Sequence, residues 1–174
     1  MPTFKKTTPV YPAPVLYLDF DGVLHPDEVY RYVKAPHIRL NAPGHQLFEH
    51  APLLEHLIEP YPALRIVLST SWVRAFDFHR ARKRLPAALK GRVVGATYHT
   101  RSELAYDFQH MNRYQQIAQD VLRRSPAQWV ALDNDAKGWP EHAIGRLVKT
   151  SDLEGLGCPM TQALFIEKLR AMFS

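Results

Sequence analysis

A single cysteine, Cys158, stands among the 174 residues. No intrachain disulfide can form, so the fold must hold by its own apolar core, and a reducing cytoplasm is the expected home. No apolar run approaches the roughly 20 residues that a membrane-crossing helix needs, so no membrane partner is expected. The opening stretch "MPTFKKTTPVYPAP" has two lysines but no apolar segment behind them, and it does not read as a secretory signal. Its Pro and Thr content reads as a loose arm over residues 1–14. Internal repeats are absent, and no linker is long enough to divide the chain, so residues 15–174 are expected to form one domain. A GxxxxGK segment is also missing, which argues against a P-loop nucleotide hydrolase.

The chain is 46% hydrophobic, enough for a substantial core. It carries 22 basic and 17 acidic residues, for a formal charge of +5, a balance that favours an anionic partner such as a phosphate ester or a nucleic acid. Short apolar runs alternate with helical patterns. "PVLYLDF", "ALRIVLST", "GRVVGAT", "QWVALDND" and "GRLVKTS" read as strands. "GHQLFEHAPLLEHLIEP" reads as a helix with Leu47, Leu54, Leu57 and Ile58 on one face, stopped by Pro60 and Pro62. "SWVRAFDFHRARKRL" reads as one helix with Ser71 as its cap, ending before Pro86. In "NRYQQIAQDVLRR", Asn112 is the expected cap and Ile117, Val121 and Leu122 the inward face; "TQALFIEKLRAMF" closes the chain. Apolar strands alternating with helices predict an α/β domain, a doubly wound, Rossmann-like parallel sheet covered on both faces.

In such a fold the crevice lies beyond the carboxyl ends of the strands. Three predicted strands end in polar residues: Asp19 and Asp21; Ser69, Thr70 and Ser71; Asp133, Asn134 and Asp135. Like-charged carboxylates gathered in one dry place repel each other, and each resists desolvation. A hard divalent cation such as Mg²⁺ would compensate, with Asp19, Asp21, Asp133 and Asp135 as its candidate cradle. Either Asp-rich segment alone could be an ordinary turn. No glutamate falls where an EF-hand loop would need its last ligand. The case rests on both segments following apolar strands.

"LDFDGVLH", "IVLSTSW", "NRYQQIAQDVL" and "WVALDND" resemble, in order, the four motifs of the haloacid dehalogenase superfamily. The combination of "STSW" with "ALDND" is similar to the phosphatase-like domains of bacterial RNA-repair fusion proteins. The resemblance implies Mg²⁺-dependent hydrolysis of a phosphomonoester. Asp19 would be the nucleophile, forming an aspartyl-phosphate. Asp21 would protonate the leaving oxygen and later deprotonate water, and its main-chain carbonyl would ligate the metal. Strand period two puts Asp19 and Asp21 on one face. Thr70, with Ser69 as the alternative, would bond a phosphoryl oxygen. Arg113, with Arg101 as the alternative, would neutralise the phosphoryl charge. Asp133 would ligate Mg²⁺, and Asp135 or Asn134 would ligate or orient a bound water. Relatives that cleave carbon–halogen bonds usually lack an acid two residues after the nucleophile, so Asp21 argues for phosphate chemistry.

Residues 24 to 46 are too few for a separate cap domain but enough for a flap. Arg31, Lys34, His37 and Arg39 sit there beside Tyr30 and Tyr32, either as a nucleotide-binding surface or as a solvated hairpin. Arg80, Arg82, Lys83 and Arg84 form a second basic run, read as a solvated face or as a grip on nucleic acid backbone. His25, His99 and His110 fall in no metal-binding spacing, and Trp72 and Trp129 read as core. The expected substrate is a nucleotide or nucleic acid end; a small phosphorylated metabolite, or a phosphate-binding module without turnover, are the alternatives. The sequence sets no oligomeric state.

Overall fold

A computed structural model describes residues 12–31, 38–99 and 105–174. Most of the N-terminal arm, together with Tyr32, Lys34, His37 and Arg101, lies outside the described residues. In chain order the elements are β1 (Val15–Leu18), β2 (Val29–Arg31), β3 (Ile38–Leu40), α1 (Ala51–Ile58), β4 (Arg65–Leu68), α2 (Ser71–Phe76), α3 (Phe78–Lys83) and α4 (Ala87–Arg92). β5 (Val93–Ala96), α5 (Ala105–His110), α6 (Arg113–Arg124), β6 (Trp129–Asp133), α7 (Glu141–Ile144), β7 (Leu147–Lys149), a 3₁₀ turn (Gly155–Gly157) and α8 (Pro159–Met172) follow.

Five strands form a parallel sheet in the order β5-β4-β1-β6-β7. Period two divides β1 between two cores. Leu16 and Leu18 point to one face, with Ile66, Leu68, Val130 and Leu132, under Leu54 and Ile58 of α1 and Phe165 and Leu169 of α8. Val15 and Tyr17 point to the other, with Val67 and Ala131, under Ile117 of α6. Burial on both sides explains why these strands are apolar throughout. β2 and β3, within residues 24–46, pair antiparallel as a separate two-stranded sheet. Among the described residues, no helix is long and apolar enough to cross a membrane.

Several elements depart from the sequence-based expectation. The helix expected from Gly44 starts only at Ala51, because Phe48 adopts a left-handed backbone (φ 61°) that no helix interior accepts. The single helix expected from Ser71 to Leu85 is two, broken at Asp77 (φ 80°). The Asp77 carboxylate accepts from the Arg80 N–H at 2.9 Å and caps the second helix, the local bonding that makes Asp a helix starter. Thr70, not Ser71, caps α2, accepting from the Trp72 N–H at 3.4 Å. Leu122, expected inward, is 81% exposed; the inward positions of α6 are Ile117, the partly buried Val121 and the charged Asp120. Asn112 caps α6 as expected, in a reciprocal box with Gln115.

Candidate active site

The register brings three strand ends level. Leu18 pairs with Leu68 on one side and Leu132 on the other, so Asp19, Ser69 and Asp133 emerge side by side. The Ser69 N–H donates to the Leu18 carbonyl at 2.8 Å, and the Asp19 N–H to that of Leu132 at 3.2 Å. This seam fixes the Asp19 main chain where its side chain enters the crevice.

Asp19 is buried. Its Oδ1 accepts from the Phe20 N–H at 2.8 Å and its Oδ2 from Arg113 Nη2 at 3.0 Å. Arg113 is the first residue of α6, held there by the Asn112 cap, and its Nε lies 2.8 Å from Asp133 Oδ2. That approach lacks hydrogen-bond alignment, so Asp133 Oδ2 stays a buried acceptor without a donor. Burial raises the Asp19 carboxyl above its ordinary range, against the lowering effect of Arg113. Asp133 is raised as well, by burial and then by the Asp19 charge. The Arg113 guanidinium is raised: burial opposes its charge, but Asp19 and Asp133 outweigh burial. Two buried carboxylates thus share one cation and retain an excess of negative charge.

Asp21 lines the larger of the two neighbouring cavities. Its Oδ1 accepts from Trp72 Nε1 at 2.8 Å and is 3.0 Å from His25 Nε2. Asn134 turns away, donating to Asp152 Oδ1 at 2.9 Å. It lies against Gly22, where a Cβ would fall 2.5 Å from Asn134 Nδ2 and where φ is +70°, so only glycine fits the turn after Asp21. Asp135 accepts from the Lys137 N–H at 2.8 Å and donates its own N–H to Asp133 Oδ1 at 2.9 Å. Among the described residues, no three His, Cys, Asp or Glu side chains gather into a cation site on their own.

Two cavities open on this ground. One, of about 190 Å³, is polar and lined by Thr70, Arg113, Asn112, Gln116 and Asp135. The other, of about 460 Å³, is lined by Asp21, Val29, Ile38, Arg74, Phe76 and Tyr98. Ser71 and Arg74 line both. Ser69 is buried and lines neither cavity, and its hydroxyl has no hydrogen-bond partner among the described residues, whereas Thr70 lines the smaller cavity. The residue that sequence reasoning passed over is His25, which bonds Asp21 four positions earlier; the only available signal was a histidine one turn beyond the paired acids.

A parallel sheet with acids from adjacent strands meeting a helix-borne arginine is the haloacid dehalogenase type of α/β domain. The chain matches the family described as "HAD domain in Swiss Army Knife RNA repair proteins" over residues 15–159, and it belongs to that family. This membership supports a phosphatase-type hydrolase in general. No curated protein and no solved structure matches the chain.

Proposed function

We propose that the chain is a Mg²⁺-dependent phosphomonoester hydrolase working through an aspartyl-phosphate on Asp19, and that its substrate is a phosphorylated nucleotide or nucleic acid end. The observation that carries this reading is Asp19 itself, a buried carboxylate at the end of the central strand with Arg113 at 3.0 Å. Arg113 offsets the phosphoryl charge while Asp19 Oδ forms a bond to phosphorus and the bond from phosphorus to the leaving oxygen breaks. Asp21 gives its proton to that oxygen, which departs as an alcohol. Water then attacks phosphorus, loses a proton to Asp21 and displaces Asp19, releasing inorganic phosphate. Thr70 bonds a phosphoryl oxygen from the wall of the smaller cavity.

Asp133 Oδ2, which makes no hydrogen bond among the described residues although Arg113 Nε is 2.8 Å away, and the raised Asp19 and Asp133 carboxyls fit a hard cation. Asp19, Asp133 and the Asp21 carbonyl would hold Mg²⁺, with Asp135 beside it. When bound, the ion supplies positive charge that offsets these carboxylates and the phosphoryl oxygens. The larger cavity lies on the Asp21 side, where the leaving alcohol must sit, and its volume and its Phe76 and Tyr98 walls suit a nucleoside. The formal charge of +5 and the family's RNA-repair description favour the same class.

The test is turnover of 4-nitrophenyl phosphate and of phosphorylated oligonucleotides with and without Mg²⁺, comparing wild type with Asp19→Asn. Metal-dependent turnover that Asp19→Asn abolishes is expected. Wild-type rates in Asp19→Asn would reject the nucleophile, and binding without turnover on any ester would make the chain a phosphate-binding module.

A further inference from the structure

The Asp21 carboxylate is held on one side and open on the other. Two donors converge on Oδ1, Trp72 Nε1 at 2.8 Å and the His25 ring at 3.0 Å. The direction of the His25 bond follows from its other nitrogen. Nδ1 lies 3.1 Å from the Phe48 main-chain nitrogen. A main-chain N–H can only donate, so Nδ1 carries the lone pair and the ring proton sits on Nε2. His25 therefore donates to Asp21.

The surroundings hold that arrangement. His25 is fully buried, with the Phe48 and Trp72 rings at centroid distances of 4.9 and 5.8 Å. Phe48 presents its N–H from a left-handed backbone (φ 61°), an uncommon conformation for a bulky residue. Its ring packs on Phe20 at 5.1 Å and Trp72 at 5.2 Å, which over-determines the turn. No described residue bonds Asp21 Oδ2, and Asp21 lines the 460 Å³ cavity. A proton on Oδ1 would face two N–H groups, so Oδ2 is the oxygen left free to exchange one.

We propose that His25 is a positioning residue for proton transfer. Together with Trp72 it pins Asp21 Oδ1, so that the carboxyl gives and takes its proton through Oδ2 alone, toward the leaving group in the larger cavity. This rests on the reading of Asp21 as the acid. In the forward step the Oδ2 proton passes to the leaving oxygen as its bond to phosphorus breaks; in the return step a proton from the attacking water restores it.

The experiment compares esters that differ in their need for that proton. The leaving group of 2,4-dinitrophenyl phosphate departs as an anion; that of ethyl phosphate must be protonated. kcat/KM reports the steps up to the aspartyl-phosphate for both. His25→Asn keeps an acceptor for the Phe48 N–H but reaches Asp21 with nothing; His25→Gln places an amide N–H near the Nε2 position. We expect His25→Asn to lose roughly 30–100-fold on ethyl phosphate and under about 3-fold on the dinitrophenyl ester, within the range that general acid catalysis supplies. His25→Gln should recover most of the ethyl phosphate loss, and Trp72→Phe should show the same skew. An equal loss on both esters, or none on ethyl phosphate, overturns the proposal. Should His25→Asn fail to fold, the ratio in Trp72→Phe decides by the same criterion. Asp21→Asn separates the layers: a skew there without one in the His25 and Trp72 variants removes only the positioning role, whereas wild-type turnover of both esters in Asp21→Asn removes the acid reading and this proposal with it.

Discussion

The Tyr17 hydroxyl donates to Asp120 Oδ2 at 2.8 Å, joining the strand that leads into Asp19 to the helix that begins at Arg113. Asp120 is fully buried and also accepts from Arg124 at 2.9 and 3.2 Å and from Arg123 at 2.9 Å. Burial alone would raise its carboxyl, but the bonds from Arg124 and Tyr17 outweigh burial and hold it below the ordinary range. Asp120→Ala should cost about 1–3 kcal/mol, because it strands the buried Tyr17 hydroxyl while the partly exposed Arg123 and Arg124 can turn to water. Tyr17→Phe should cost about 1–2 kcal/mol, since the arginines still serve the carboxylate. A carboxyl lowered in the folded state adds stability above its unfolded pKa and loses it as pH falls through the folded value. The gap between wild type and Asp120→Ala in urea unfolding should therefore be full near neutrality and narrow in acid.

Arg113→Ala should lower kcat by about 10²–10³-fold, the loss expected when one preorganised charge is removed from a transition state. Arg113→Lys should restore part of it, because a point charge replaces a fork that reaches both Asp19 and Asp133. Steady-state kinetics on 4-nitrophenyl phosphate read both.

Added Mg²⁺ should raise the melting temperature of wild type, because an ion that binds only the folded state stabilises it by mass action. Asp133→Asn should abolish that response while melting at or above the metal-free wild type, since it removes a buried charge that burial already disfavours. Thermal unfolding across a Mg²⁺ titration tests both expectations.

Gly155→Ala should destabilise the chain by about 1–3 kcal/mol through backbone strain alone, because Gly155 has φ +52°. A Cβ there would also meet the Val23 carbonyl oxygen at 2.5 Å. The same loop sends the Leu156 N–H to that carbonyl at 2.9 Å, so it braces the turn leading to His25. Urea unfolding measures the cost, and the substitution should also reproduce part of the His25→Asn skew.

The sheet was legible because its strands are buried on both faces and end in polar residues. "VLYLDFDG" and "WVALDND" mark both the strands and the crevice. Helix ends were less legible wherever a side chain or backbone serves the site. The helical spacing before Ala51 gives way at Phe48, whose N–H goes to His25. α6 places charged Asp120 inward and Leu122 outward because the ion network with Tyr17 and two arginines occupies the core-facing row. That partnership spans 103 positions and leaves no periodic trace. The short helices α4, α5 and α7, of six, six and four residues, carry too little pattern to stand out from turns.

Pairing of Val15 with Trp129 leaves β1 without one neighbour until residues 129–133 of the 174 have been made. Contacts between such distant segments form late in folding, because a long loop must close first. During synthesis Asp19 therefore waits for Asp133, and a ribosome-tethered chain whose β6 is still in the exit tunnel should hydrolyse nothing.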